Sequence, residues 1–544
     1  ISGAIAKPTS ESGENIGLND VTATTLVVDG EDDGDNEYAT IGDAIENATD
    51  GDIVEVRQGV YREEIIVDKN ITLIAPNGAT LDGSSLNEES TGLFIGDVRT
   101  VIKGFTITNH AQAIRAVRSD GNWTVKNIIV RGVEPYPDIS VRDSTGDWEL
   151  LNITINGSIT AQKSTGNWII NNSSITNGSI DGDFSTGDWR IYNTNIENPE
   201  SSYGLTASHS EGDWIIKNST IIPGTNTYII PGSDNFTDTA TNDGVLAGSS
   251  TGDWTVSNVE IINSSSGVEA TNSSGSWVVR DSIIRHSSEA VSVRESTGSW
   301  KLNDTVIINV TVGVVAENAT GSWIVQNSTI RDSATGVFAY HANGSWSVRD
   351  TDIKNSSFIG VNSYQTNESW SIINSSVYNS TDYGIVATDS SGNWTITGAK
   401  INKIGTSEIT AAIEAVNTTG AWNIHNSIFR NNSGHEINAT NAFIEGNATR
   451  NWWGNESGPD ENDCIGNVDC SNHLTSPPSS TDERTGQHES GVSQSTYTAV
   501  AGDDGLSRSD VLSVVQAYVG DRPLNGVNLT REDILKLVRY YVEQ

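Results

Sequence analysis

One phrase of polar and apolar positions returns along most of the chain: a small polar turn, a Trp, alternating aliphatic and polar residues, then Asn or Asp. It reads STGDWELLNITI at Trp148, STGNWIINNSSI at Trp168, STGDWRIYNTNI at Trp189, EGDWIIKNSTI at Trp214 and STGDWTVSNVEI at Trp254. It continues as SSGSWVVRDSII at Trp277, STGSWKLNDTVI at Trp300 and ATGSWIVQNSTI at Trp323, with weaker copies at Trp123, Trp346, Trp370, Trp394 and Trp422. Thirteen of the 15 Trp therefore sit in one repeat, spaced 23 residues apart from Trp254 to Trp346 and 20 to 30 elsewhere, with one gap of 40 around PGSDNFTDTATNDG. Self-similarity at such a period predicts stacked units with the insertions as loops.

Parity gives the register, because strand side chains alternate between faces with period two. Two residues after every Trp stands an aliphatic (Val125, Leu150, Ile170, Ile191, Ile216, Val256 and so on to Ile424), while the flanking positions are mostly polar, as Lys301 and Asn303 are. Trp and that aliphatic are therefore expected inside. Four residues after Trp comes Asn or Asp in 12 of 13 copies, with Gly398 the exception; these residues tolerate left-handed backbone and predict a bend. A short Ser-x-Ile strand follows, and a third apolar piece completes the period, as in GVVAEN (313–318), GVFAYH (336–341) and GIVATD (384–389). Three short strands per coil, with coils pairing in parallel about 4.8 Å apart, give roughly 18 coils between residues 40 and 455 and a rod of about 85 Å.

The stretch YATIGDAIENATDGDIVEVRQGVYREEIIVDKNITLIAPNGATLDG (38–83) and the phrase NWWGNESGP (451–459) resemble the start and end of the NosD-like, pectate-lyase-like family. The resemblance covers about 420 residues. It implies an all-β solenoid, a right-handed three-stranded parallel β-helix over 38–459, with a short helix near 40–48 capping the open end. A cap answers a physical need, since an uncovered end coil invites pairing with another chain. The scaffold hosts lyases, hydrolases, epimerases, adhesins, phage spikes and inert surface proteins, so it leaves function open.

Composition narrows the partners. Seventy Asp plus Glu against 31 Lys plus Arg give a net charge of -39, which repels nucleic acid and anionic lipid. No run approaches the roughly 20 apolar residues of a membrane span. The chain opens with Ile1 and no basic-then-apolar leader, which reads as the mature product of a secreted precursor. Twenty-eight Asn-x-Ser/Thr triplets point to N-linked glycans on an extracellular, cell-surface protein. Cys464 and Cys470, in DCIGNVDC, are close enough to bridge as a loop staple over 460–470 in an oxidising compartment. The acidic excess also suits a halophilic setting, with ordinary extracellular acidity as the alternative.

Beyond the rod, residues 471–500 are rich in Ser, Thr, Pro and Gln, the signature of a linker. LSRSDVLSVVQAYV (506–519) and LTREDILKLVRYYV (529–542) are related halves with hydroxyl caps at Ser507 and Thr530, predicting a C-terminal α-helical hairpin over 501–544. It is similar to the dockerin family, which implies tandem calcium loops and a cohesin partner. The loops are degenerate: only Asp503 and Asp504 in the first and Asn525 in the second stand as weak metal ligands. Since calcium needs several converging oxygens, the module is read either as a calcium site or as a calcium-free dock. Residues 1–37 form an N-terminal segment read as a subunit contact.

Candidate chemistry is sparse. The Trp ladder could stack sugars, but parity assigns it to the core. Asn152, Asn172, Asn218, Asn327 and Asn374 are read as hydrogen-bonded ladder residues, and Asn272, Asn318, Asn343, Asn367 and Asn417, just before Trp, as better glycan acceptors, with Asn263, Asn309, Asn355, Asn438 and Asn447 beside them. Asp147, Asp188, Asp213 and Asp253 form either a calcium stripe or solvated turns. Arg285, Arg331 and Lys354 recur eight residues after Trp, with His286 and Asp332 adjacent, and are the outward stack that invites suspicion. No acid joins them at a repeated offset, so no catalytic residue is assigned and the chain is read as non-enzymatic. The expected function is a glycosylated structural protein that polymerises head to tail with copies of itself, or docks on a cohesin-like partner, as a filament, sheath or adhesive fibre. The alternative is a secreted polysaccharide lyase or hydrolase with a docking module.

Overall fold

The computed structural model describes residues 23–30, 37–131, 139–198, 203–223, 242–406 and 410–478. They form a right-handed parallel β-solenoid of about 17 turns with almost no helix. The linker beyond 478, the hairpin 501–544 with Asp503, Asp504 and Asn525, and most of the segment 1–37 lie outside the described residues.

Each coil contributes a strand to three faces. On the first, Trp148 pairs in register with Trp123 below and Trp168 above, and the Trp-on-Trp register continues to Trp422. The rings stack with centroids 4.5 to 5.5 Å apart, and the 13 indoles are 0–3% exposed. The aliphatic two places on is fully buried in every copy. Apolar burial and close aromatic packing thus repeat at each step of the rod.

The corners explain the polar part of the repeat. Asn127, Asn152, Asn172, Asn193, Asn218, Asn258, Asp281, Asp304 and Asn327 all have φ near +50°, with Gly398 in the same column. Two further left-handed columns complete the triangle: Asn263, His286, Asn309, Asp332 and Asn355 before the third face, and Asn272, Glu295, Asn318, His341, Gln365 and Asn417 after it. The sequence pattern exposed only the first, because the others also accept Lys163, Phe184 and His209, whose strain the stacked coils must absorb. The Gly of the Ser-Thr-Gly turn has a different cause. A Cβ on Gly298 would lie 2.0 Å from the carbonyl oxygen of Gly275, the matching residue one coil below.

The ladder outruns the expected limits of 38 and 459. Thr25–Val28 pairs with Ile53–Val56, so part of the segment assigned to 1–37 already belongs to the sheet. At the other end Cys464–Gly466 pairs with the strand at Ile437, and Val468–Asp469 with Gly446–Asn447, making the Cys464–Cys470 disulfide loop part of the final coil. The helix α1 (Ile41–Asn47) packs Ile41, Ala44 and Ile45 inward. Its ends are matched to its dipole: Glu63 accepts from the Ile41 and Gly42 N–H groups at 2.9 and 3.0 Å, and the Lys69 ammonium donates to the carbonyls of Ile45, Glu46 and Ala48.

Candidate functional site

The cations singled out by sequence lie on the second face, in one column that runs Ile262, Arg285, Ile308, Arg331, Lys354 and Tyr378. Each has its own acid. Arg285 pairs with Glu260 at 3.0 Å, Arg331 with Asp332 at 2.8 Å and Lys354 with Asp352 at 3.6 Å. Ile308 separates the first from the rest, and His286 and Asp332 are bend residues in the left-handed column. The expected stack is therefore a row of partly exposed ion pairs, each cation on a different acid.

The turn acids are ladder caps. The side chain of Asp147 accepts from the Asn167 N–H, Asp188 from Asp213, Asp213 from Asp253 and Asp253 from Ser276, at 2.7 to 3.0 Å. The Asn columns are tied likewise: Asn152 donates to Asn127, Asn218 to Asn193, Asn367 to Asn343, Asn417 to Asp389 and Asn355 to Asp332. Among the sequons, Asn263, Asn272, Asn309, Asn318, Asn343, Asn355, Asn367, Asn417 and Asn447 are exposed and Asn438 is half-buried. Asn152 and Asn218 are exposed too, so the two classes of sequon do not differ in accessibility.

Ionisable groups converge instead on the third face. Successive coils read SSSGVEATN (264–272), SSEAVSVRE (287–295) and VTVGVVAEN (310–318), in register Ser266 with Glu289, Glu269 with Ser292, and Thr271 with Arg294 and Glu317. Arg294 holds Glu289 through both carboxylate oxygens at 2.7 and 2.8 Å and reaches Glu317 at 3.2 Å. Glu269 accepts from Thr271 Oγ1 at 2.9 Å and from Ser266 Oγ at 3.2 Å. Behind them Asp243 is 1% exposed and accepts from the Ser266 N–H at 3.0 Å. Burial, and then the charges of Glu269 and Glu289, push its carboxyl up to about 7. Desolvation disfavours the charged form and neighbouring anions add to it, so this group keeps its proton to a higher pH than an ordinary aspartate.

The same columns continue upward as an apolar and aromatic strip. Glu317 is followed by Tyr340 and Tyr364, and Ser292 by Val315, Phe338 and Asn362. The Tyr340 and Tyr364 rings lie parallel within 10°, centroids 5.5 Å apart, with Phe338 5.7 Å from Tyr340. Farther along, Asn438 donates to Glu414 at 3.2 Å, burial raises the Glu414 carboxyl, and burial takes Glu436, bonded by Asn432, up to about 7.

The repeat pattern does not disclose this face, because its third strand reads as the apolar piece that completes each period. A signal was present: where the upper coils carry Val315, Phe338 and Val386, the lower ones carry Glu269 and Ser292, and one coil places Glu289 and Arg294 at the two ends of its strand. That is a local break in the repeat which gathers acids, one cation and hydroxyls. Such a group can hold and deliver a proton beside a fixed carboxylate–guanidinium pair.

No family model matches the chain and no curated protein does. Solved structures do resemble it: a periplasmic alginate epimerase, AlgG, at 12% identity and TM-score 0.37, covering 59% of this chain and 78% of that one; pectate lyase Pel9A at 16% and 0.34, covering 55% and 78%; and a PL6 alginate lyase at 12% and 0.32, covering 85% and 98%. At such identities the likeness concerns the fold. The expectation of a non-enzymatic chain is corrected on the site itself: the regular repeat that argued against chemistry is broken at Glu269 and Glu289 by the groups that chemistry uses.

Proposed function

We propose that the chain is a secreted polysaccharide-cleaving β-helix whose site is the Asp243, Glu269, Glu289 and Arg294 group. The observation that carries it is the buried Asp243 carboxyl, held by the Ser266 N–H, beside two half-buried carboxylates on adjacent coils of one face. Glu289 stands on the coil next to that of Glu269, in register with Ser266, three residues before Glu269 along the strand. In this reading Glu269 protonates the glycosidic oxygen as the bond to the anomeric carbon breaks. The Glu289 carboxylate, fixed by Arg294 on the next coil, forms an ester bond to that carbon as the glycosidic bond breaks, and water activated by Glu269 as base then cleaves the ester to release the sugar and restore both carboxyls. Hydrolysis is favoured over β-elimination because a lyase requires an acidic sugar, and the net charge of -39 repels polyanions.

The disulfide between Cys464 and Cys470 and the exposed sequons support an extracellular location; among the described residues no helix is long and apolar enough to cross a membrane. Asn272, Asn318 and Asn417 are proposed glycan acceptors, to be checked by glycopeptide mapping. No feature of the described residues supports a filament.

The test is a screen of soluble uncharged and uronate polysaccharides with the full chain, following reducing ends and the ultraviolet absorbance of unsaturated ends. Reducing ends without unsaturated ends are expected from an uncharged polymer. Unsaturated ends, or no product from any polymer, would contradict the proposal.

A further inference from the structure

The geometry points to a stacking subsite for an uncharged polysaccharide on the third face: we propose that Tyr340 and Tyr364, flanked by Phe338, bind a sugar chain laid along the rod axis. This rests on the reading above for where the chain leads. Three observations support it.

The first is alignment. Arg294, Glu317, Tyr340 and Tyr364 occupy one column on four successive coils, so a polymer parallel to the axis that passes over the Arg294–Glu317 pair passes over both rings. One column of side chains advances about 4.8 Å per coil, offering a contact at each step. The second is presentation. The two rings are parallel and stacked on each other, half-buried and carried on a continuous sheet, with Phe338 beside Tyr340. Rigid rings of this kind supply contact area at small entropic cost and leave a phenol to hydrogen-bond a hydroxyl. The third is charge. The cation of these columns, Arg294, is already shared by Glu289 and Glu317, and the molecule as a whole is strongly anionic. A uronate polymer would find repulsion here, whereas neutral sugar rings would find apolar faces and hydroxyl partners.

The experiment uses the full chain carrying Glu269→Gln, so that ligand survives, and titrates hexasaccharides of uncharged α- and β-glucans and of polygalacturonate by calorimetry. At least one glucan should bind while polygalacturonate does not. Tyr340→Ala with Tyr364→Ala should weaken that binding roughly tenfold or more, with an unchanged circular dichroism spectrum, while Tyr364→Phe should retain it. Unaltered glucan affinity in the double alanine variant, preference for polygalacturonate, or no glucan binding would overturn the subsite. Binding without turnover in the unsubstituted chain would instead count against hydrolysis and leave the subsite standing.

Discussion

Glu289 is bound by a single nitrogen of Arg294 through both of its carboxylate oxygens, at 2.7 and 2.8 Å, across one strand of the third face. The Arg294 guanidinium also reaches Glu317 on the coil above, so one cation sets the position of two carboxylates. Charge-assisted pairs of this kind confer geometry as well as energy. In the proposed reaction Arg294→Ala lets Glu289 swing away from the reacting carbon, and kcat should fall about 100-fold with KM little changed. Arg294→Lys, which keeps charge and loses the fork, should recover only part of that rate. Equal kcat for Ala and wild type in steady-state kinetics would remove Glu289 from the mechanism.

Stability should depend on pH through buried acids. Asp243 and Glu436 are each raised to about 7 from ordinary values of 3.8 and 4.5. Between about pH 4 and 7 the folded chain keeps protons that the unfolded chain has released, so stability falls as pH rises through that window, by up to ~1.4 kcal/mol per pH unit for each group. Asp243→Asn and Glu436→Gln should each flatten the slope. Urea unfolding at pH 5 and pH 7 measures it, and identical slopes in wild type and both variants would refute the assignment.

The indole ladder is a mechanical spine. Trp277 lies 4.5 Å from Trp254 and 5.0 Å from Trp300, nearly parallel to both. Trp277→Ala opens a cavity that neighbours locked in register cannot collapse into, and should cost ~3–5 kcal/mol. Trp277→Phe should cost clearly less. Denaturant midpoints of the two variants decide it; similar midpoints would mean that ring volume at this level is unimportant.

Asn218 separates two roles of the bends. Its φ is 54°, and its amide donates to Asn193 and accepts from Asn258 at 3.1 and 2.9 Å. Asn218→Gly keeps the backbone freedom and loses the amide chain, at about 1 kcal/mol; Asn218→Ala loses both and should cost a further ~1–2 kcal/mol. If the two variants melt together, the left-handed strain carries no weight.

How much of this could be read in advance follows from what each position must satisfy. Trp277 and Val279 were legible because strand parity and burial repeat the same demand 13 times, and Asn218 because a left-handed bend admits few residue types. Lys163, Phe184 and His209, at equally left-handed corners, were not, because neighbouring coils hold the bend whatever the side chain. The third face hid for the opposite reason. Glu269, Glu289 and Arg294 come together across two coils, and no one phrase contains them; only alignment of consecutive coils shows Glu269 where Val315 and Phe338 stand. Arg285, Arg331 and Lys354 misled because recurrence at one offset shows a shared face, whereas their acids, Glu260, Asp332 and Asp352, sit at three different offsets.

The most direct test of the central claim is end-group analysis of a responsive uncharged polysaccharide incubated with the wild-type chain and with Glu269→Gln at equal concentration. The account predicts new reducing ends from the wild type and a loss of at least 100-fold in the variant. Undiminished release by the variant would contradict it and place the chemistry, if any, on another face of the rod.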